Sequence, residues 1–209
     1  MDAVNPPGRT PYRQLQAQET KRRIARAARR LFAARGYGDT SIEALAEEAG
    51  VAVRTVYAAF GTKKAILAAI CDEWLAASGV FPLIQQAMQE GDTARRLALI
   101  ARLSRQQWER GRDVVPMLEG AALADAEVAF MLDGWKTQRA AAFAQVLEGC
   151  GDRLAPGVDL DSAAAVLRAL TAAEPYRELV DAVGWSGDRY EQWLTHLLVR
   201  ELLGAATAH

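Results

Sequence analysis

Cysteine is scarce: Cys71 and Cys150 are the only two in 209 residues, far apart and without a Cys or His neighbour. That argues against a disulfide framework and a structural zinc site and fits a reducing cytoplasm. Histidine is as rare, with His196 and the last residue, His209. No GxSxG, P-loop or HExxH run occurs and no carboxylate pair stands out, so the reading contains no catalytic constellation, no metal and no cofactor. No apolar run reaches the ~18 residues of a membrane span, and MDAVNPPGRTPYRQ lacks the apolar stretch of a secretory signal. Alternating β-branched segments are missing too, whereas alanine and leucine abound, so the expected class is all-α.

What is present is a charge asymmetry hidden by the net charge of −1. Residues 1–64 hold 12 Lys/Arg and 6 Asp/Glu, or +6; residues 65–209 hold 13 and 20, or −7. A basic head on an acidic body points to a polyanion as the head's partner, unless the basic stretch is only a solvated helix face.

Pro6, Pro7 and Pro11 and few aliphatics make residues 1–16 a flexible arm. A first helix is expected over 17–34, with Ile24, Ala27, Ala28, Leu31 and Phe32 on one face and Lys21, Arg22, Arg26, Arg29 and Arg30 on the others. Gly36 stops it. Thr40 and Glu43 have capping-box spacing before a second helix that ends near Ala49. Gly50 allows a tight turn, a third helix covers about 53–60, and Gly61 and Thr62 introduce a fourth from Lys63 to about Ser78. Helix, short glycine turn, helix is the helix-turn-helix pattern, with Ala46, Val51 and Val56 as its apolar joint. Further helices are expected at 82–90, 93–110, 114–123, 125–150, 160–173, 175–183 and 187–204, separated by glycine and proline signals. The domains follow: the arm 1–16, a DNA-binding domain 17–64, and a body 65–209.

Residues 20–70, TKRRIARAARRLFAARGYGDTSIEALAEEAGVAVRTVYAAFGTKKAILAAI, resemble the DNA-binding region of the tetracycline-repressor (TetR) family of bacterial transcription regulators. The matching pieces are Leu31-Phe32, Arg35-Gly36-Tyr37, Thr40-Ser41, Ile42 to Gly50-Val51, Thr55-Val56-Tyr57, Phe60 and Lys63 to Leu67. The resemblance implies a homodimer on double-stranded operator DNA, with a helical C-terminal domain that regulates, dimerises and often binds a small molecule.

Arg54, near the start of the third helix, has the planar fork that suits guanine in a major groove or, equally, a phosphate. Thr55 and Val53 suit a thymine methyl, and Thr55 also a phosphate. The resemblance implies that Tyr57 bonds a phosphate through its hydroxyl. Lys63, Thr40 and Ser41 stand at helix N-termini, where amide groups and the helix dipole favour phosphate. Many relatives carry a histidine or another polar group two residues after the tyrosine; Ala58 and Ala59 here leave more of the readout to Arg54 and Thr55. Glu43 is a candidate for cytosine as well as for capping, and Arg9 and Arg13 for a minor groove.

In the body, Trp108, Met117, Phe130, Met131, Trp135 and Phe143 are candidate walls for an apolar or aromatic effector, although each also suits plain core. Ala163, Val166, Leu167 and Leu170 form one apolar stripe; Tyr190, Trp193, Leu194, Leu197, Leu198 and Leu202 form a wider one. The resemblance implies that these last two helices pair with those of a second subunit, so Val166, Leu167, Leu170, Trp193, Leu194, Leu197 and Leu198 are the expected interface. The function expected is a ligand-released repressor in the cytoplasm, with no membrane partner. The alternatives are a helical interaction module without DNA binding and a small all-α enzyme using the body's cavity.

Overall fold

Eleven α-helices and no strand make up the described residues, 9–204, of a computed structural model; side chains are described from residue 12. Helix α1 runs Arg9–Arg35, α2 Ile42–Ala49, α3 Val53–Phe60 and α4 Lys63–Ala77. Then follow α5 Val80–Gln89, α6 Thr93–Arg110, α7 Val114–Ala124 and α8 Ala126–Leu147, and finally α9 Leu160–Leu170, α10 Ala173–Tyr176 and α11 Gly187–Leu203. The all-α expectation holds. No single helix among the described residues is long and apolar enough to cross a membrane.

One helix start differs from expectation. α1 begins at Arg9, so half of the expected arm is helical. Pro11 is compatible with this because first-turn amides have no acceptor inside the helix. Residues 1–8 and the side chain of Arg9 lie outside the described residues; Arg13 is exposed on α1. At the other end, the expected helix 175–183 is α10 followed by a π-helical segment, Arg177–Ala182, where Val183 N–H reaches back to Glu178.

The contacts divide the chain into two compact units: residues up to Glu73 with Pro116–Ala129, and Trp74–Val115 with Phe130 onward. The boundary therefore differs from the expected 64/65, because Ile66, Leu67, Ile70 and Cys71 of α4 are buried in the head's core. There they join Ile24, Ala27, Ala28 and Phe32 of α1, Leu45 and Ala46 of α2, and Val56 of α3. Burial raises the Cys71 thiol to about 12, so this cysteine is an inert apolar filler.

In the second unit α6 packs against α5 and α11. Leu97, Ile100, Ala101 and Leu103 of α6 are buried, and so is the column Tyr190, Leu194, Leu198, Leu202 of α11. The column's four-residue spacing puts every member on one face of the helix. Ser104 and Tyr190 join hydroxyls across it at 3.2 Å.

Gly111 is required here by sterics. A Cβ at this position would stand 2.5–2.7 Å from the Trp74 ring, whose Nε1 donates to Gln107 O at 2.8 Å. Gly111→Ala is expected to destabilise the protein by about 1–3 kcal/mol through overpacking. A thermal melt unchanged by the substitution would show that the ring can give way.

Candidate nucleic-acid interface

The helix-turn-helix is built from α2, the Gly50 turn and α3. Gly50 takes φ 62°, ψ 41°, which a side chain would resist, and its N–H returns to the end of α2. Val51 N–H bonds Ala46 O at 2.9 Å. Ala46 and Val56 are buried as the joint requires, while Val51 stays partly exposed. Both helices rest on α1.

α3 then turns its other side to solvent. Arg54 and Tyr57 are exposed, Val53 and Thr55 half-exposed. Arg54 makes no hydrogen bond or ion pair among the described residues, so its fork is free. Ala52 precedes α3 without a side-chain cap, and its carbonyl takes the Thr55 N–H at 2.8 Å, so the amides left available to an anion are those of Val53 and Arg54. The basic face of α1 is partly engaged: Arg30 pairs with Glu48 at 2.8 Å, Arg23 donates to Gly50 O at 3.3 Å, and Lys21 lies 5.7 Å from the centre of the Phe60 ring.

Two expected phosphate contacts are corrected. Thr40 is 1% exposed and donates its hydroxyl to Gly36 O at 2.8 Å, so it faces inward. The cap of α2 is Ser41, whose Oγ accepts from Ala44 N–H at 3.1 Å. The capping box centred on Thr40 therefore does not form; Ser41, one residue on, is exposed and holds the position.

Lys63 is the other correction. Its ammonium donates to the carbonyls of Tyr37 at 2.7 Å, Thr40 at 3.1 Å and Gly38 at 3.4 Å, and sits 4.3 Å from the centre of the Tyr37 ring. Three donors meet three carbonyls, so this lysine closes the loop between α1 and α2 instead of reaching outward. Lys63→Met is expected to cost the head about 1.5–3 kcal/mol, the usual value of hydrogen bonds to a charged group. The salt dependence of DNA binding should keep its slope. A slope lowered by one unit with stability intact would return Lys63 to the phosphate contacts.

Residues that the sequence reading passed over brace the same loop. Asp125 caps α8 with one carboxylate oxygen, accepting from Glu127 N–H at 2.9 Å, and accepts the Tyr37 hydroxyl on the other at 3.4 Å. Burial first, then this carboxylate, raises the Tyr37 phenol to about 12. Lys64 pairs with Glu127. A helix boundary at 125 was the only signal of Asp125 in the sequence.

The expected effector residues do not form one set. Met117 is buried in the first unit; the other five belong to the second. Phe130 is 82% exposed and walls no enclosed space. Trp108 and Phe143 are buried and come together around Arg139, whereas Met131 and Trp135 are half-buried along α8. An open depression lined by Gly151, Leu154, Val158 and residues 159–161 includes none of the six.

The expected interface also needs correction. Leu167, Leu194 and Leu198 are all 0% exposed. α11 spends its Leu194 and Leu198 column on α6 of its own chain. Val166, Leu170, Trp193 and Leu197 are partly exposed, and Ala165 and Ala169 exposed, on α9 and α11.

Residues 24–70 match the model of "Bacterial regulatory proteins, tetR family". No curated protein matches the chain. Among solved structures, NalD of Pseudomonas aeruginosa, the secondary repressor of the MexAB-OprM multidrug efflux pump, is 21% identical with a TM-score of 0.73, over 91% of this chain and 100% of that one. FadR of Bacillus subtilis, a transcriptional regulator solved with stearoyl-CoA, is 17% identical with a TM-score of 0.67, over 86% and 98%. A transcriptional regulator of Saccharomonospora viridis, solved with choline, is 22% identical with a TM-score of 0.67, over 89% and 98%.

Proposed function

We propose that this chain, which belongs to the TetR family of bacterial regulatory proteins, is a dimeric repressor that leaves its operator when a small molecule binds the body. The observation that carries the reading is α3: an outward face with Arg54 unengaged and Tyr57 exposed, on a helix-turn-helix whose joint is packed. A fold kept only for protein contacts has no need of a free guanidinium beside uncapped amides on a basic head. In this reading Arg54 and Thr55 read base edges. Tyr57, Ser41 and the α3 amides hold phosphates, and Val53 meets a thymine methyl.

Two heads must meet successive major grooves, about 34–36 Å apart on a palindromic operator. The partly exposed residues Val166, Leu170, Trp193 and Leu197 give two copies a symmetric apolar contact on α9 and α11. An effector that binds the wrongly spaced form better withdraws the protein from DNA by population shift. No reaction is part of this role, and its site is the cytoplasm. NalD's description as a repressor and the ligands in the FadR and S. viridis structures support the direction of the proposal.

The test is binding of the full chain to the intergenic DNA beside its own coding region, across salt concentrations. A palindrome bound at nanomolar protein, with log K falling about 0.9 per phosphate for each unit of log[salt], supports the reading. No sequence preference at any salt concentration overturns it.

A further inference from the structure

We propose that the second unit holds a subsite for the carboxylate of the effector, made by Arg139 of α8 between Trp108, Phe143 and Thr171. The inference rests on the effector-release reading above and gives the effector a chemical class, an apolar molecule with an anionic head.

The observation is a guanidinium without a counter-ion. Arg139 Nη2 donates to the carbonyl of Thr171 and, at 2.8 Å, to its hydroxyl oxygen. Arg139 Nε is buried and has no acceptor. No carboxylate pairs with Arg139 among the described residues. Glu174 and Tyr190 are the titratable groups whose charge is felt there, and the Tyr190 hydroxyl is engaged with Ser104. Burial pulls the guanidinium down to about 10, so it remains a cation at neutral pH. Buried charges are ordinarily paired, because desolvation costs more than an unpaired ion recovers.

The surroundings hold the cation in place. Its carbon centre lies 4.8 Å from the middle of the Phe143 ring and 5.4 Å from that of Trp108. The Trp108 Nε1 donates to the same Thr171 carbonyl at 3.0 Å. Thr171 is itself buried and donates its hydroxyl to Leu167 O at 2.5 Å. The cluster thus holds the guanidinium with one N–H, that of Nε, unsatisfied and enclosed, so an anion that reaches it must displace neighbouring side chains. A planar carboxylate matches a guanidinium edge in geometry and charge.

Selectivity follows from the same groups. The aromatic faces are already occupied by a cation, so a quaternary ammonium meets like charge. A neutral hydroxyl can accept from Nε but brings no charge and no second acceptor oxygen, so it recovers less than a carboxylate does. Met131 and Trp135 precede Arg139 at four-residue spacing on α8 and are half-buried, a place for the apolar tail.

The experiment uses the full-length protein and matched probes: octanoate against 1-octanol, 2-naphthoate against 2-naphthylmethanol, and choline as the cation. Calorimetry should give the carboxylates at least tenfold tighter binding than their alcohols, and no binding of choline. Arg139→Leu should erase the carboxylate preference. Arg139→Lys keeps the charge but loses the fork, and should retain part of the preference if the leucine variant does not fold.

Equal affinities within a matched pair, a preference that survives Arg139→Leu in folded protein, or no carboxylate binding at millimolar concentration each overturn the subsite. Operator displacement read in parallel separates the two proposals. If the alcohols release DNA as well as the acids do, effector release stands and the subsite falls. Arg139-dependent carboxylate binding that leaves DNA occupancy unchanged overturns the assignment of this subsite to the effector.

Discussion

Leu194→Glu combined with Leu198→Glu should abolish folding and not merely dimerisation. Both side chains are buried in the chain's own packing of α11 on α6. Placing two carboxylates there costs several kcal/mol each in desolvation. A domain's whole stability is only about 5–15 kcal/mol. Circular dichroism should show lost helicity or no cooperative melt. Val166→Glu with Leu197→Glu changes the partly exposed residues instead, and should leave a folded monomer in sedimentation. The two pairs therefore separate core from interface. A helical, monomeric Leu194→Glu, Leu198→Glu protein would mean that this column faces a second subunit.

The contrast between these pairs marks a limit of periodicity. On α11 the column 190, 194, 198, 202 and its neighbours 193 and 197 are equally apolar, so a sequence pattern identifies a wide stripe without saying which part serves the chain's own core. Only the placement of α6 decides. The helix boundaries were far more legible, because glycines at 36, 50 and 61 stop helices by local geometry.

The adjacent hydroxyls of Thr40 and Ser41 show a finer ambiguity. Either can cap α2, and the choice falls to Ser41 because Thr40 is drawn inward to Gly36 O. Lys63 and Arg139 were misread or unseen for one shared reason: their partners are distant in sequence. Lys63 finds carbonyls 23 to 26 residues back; Arg139 finds Thr171 32 residues on. A charged residue's exposure is a property of the fold, and composition assigns both to the surface by default.

On the proposed reading, sequence discrimination on DNA rests chiefly on Arg54. Arg54→Ala should weaken operator binding by about 1–3 kcal/mol per half-site, the range for a bidentate arginine–guanine contact. That is about 5- to 150-fold for each half-site. The loss should be confined to specific DNA. The affinity for random sequence should hardly change, and a selection on randomised operators should lose its preference at one base pair in each half-site. The structure gives the reason to expect a large effect: Ala58 and Ala59 follow on the same short helix, Thr55 is half-exposed, and no other basic side chain lies on α3. No neighbouring cation on that helix can take over the contact. The salt slope separates the two roles open to this residue. Loss of a base contact leaves the slope unchanged, whereas loss of a phosphate contact lowers it by about one unit and weakens all sequences alike. Equal weakening on operator and random DNA would place Arg54 on the phosphate backbone and transfer the readout to Thr55 and Val53.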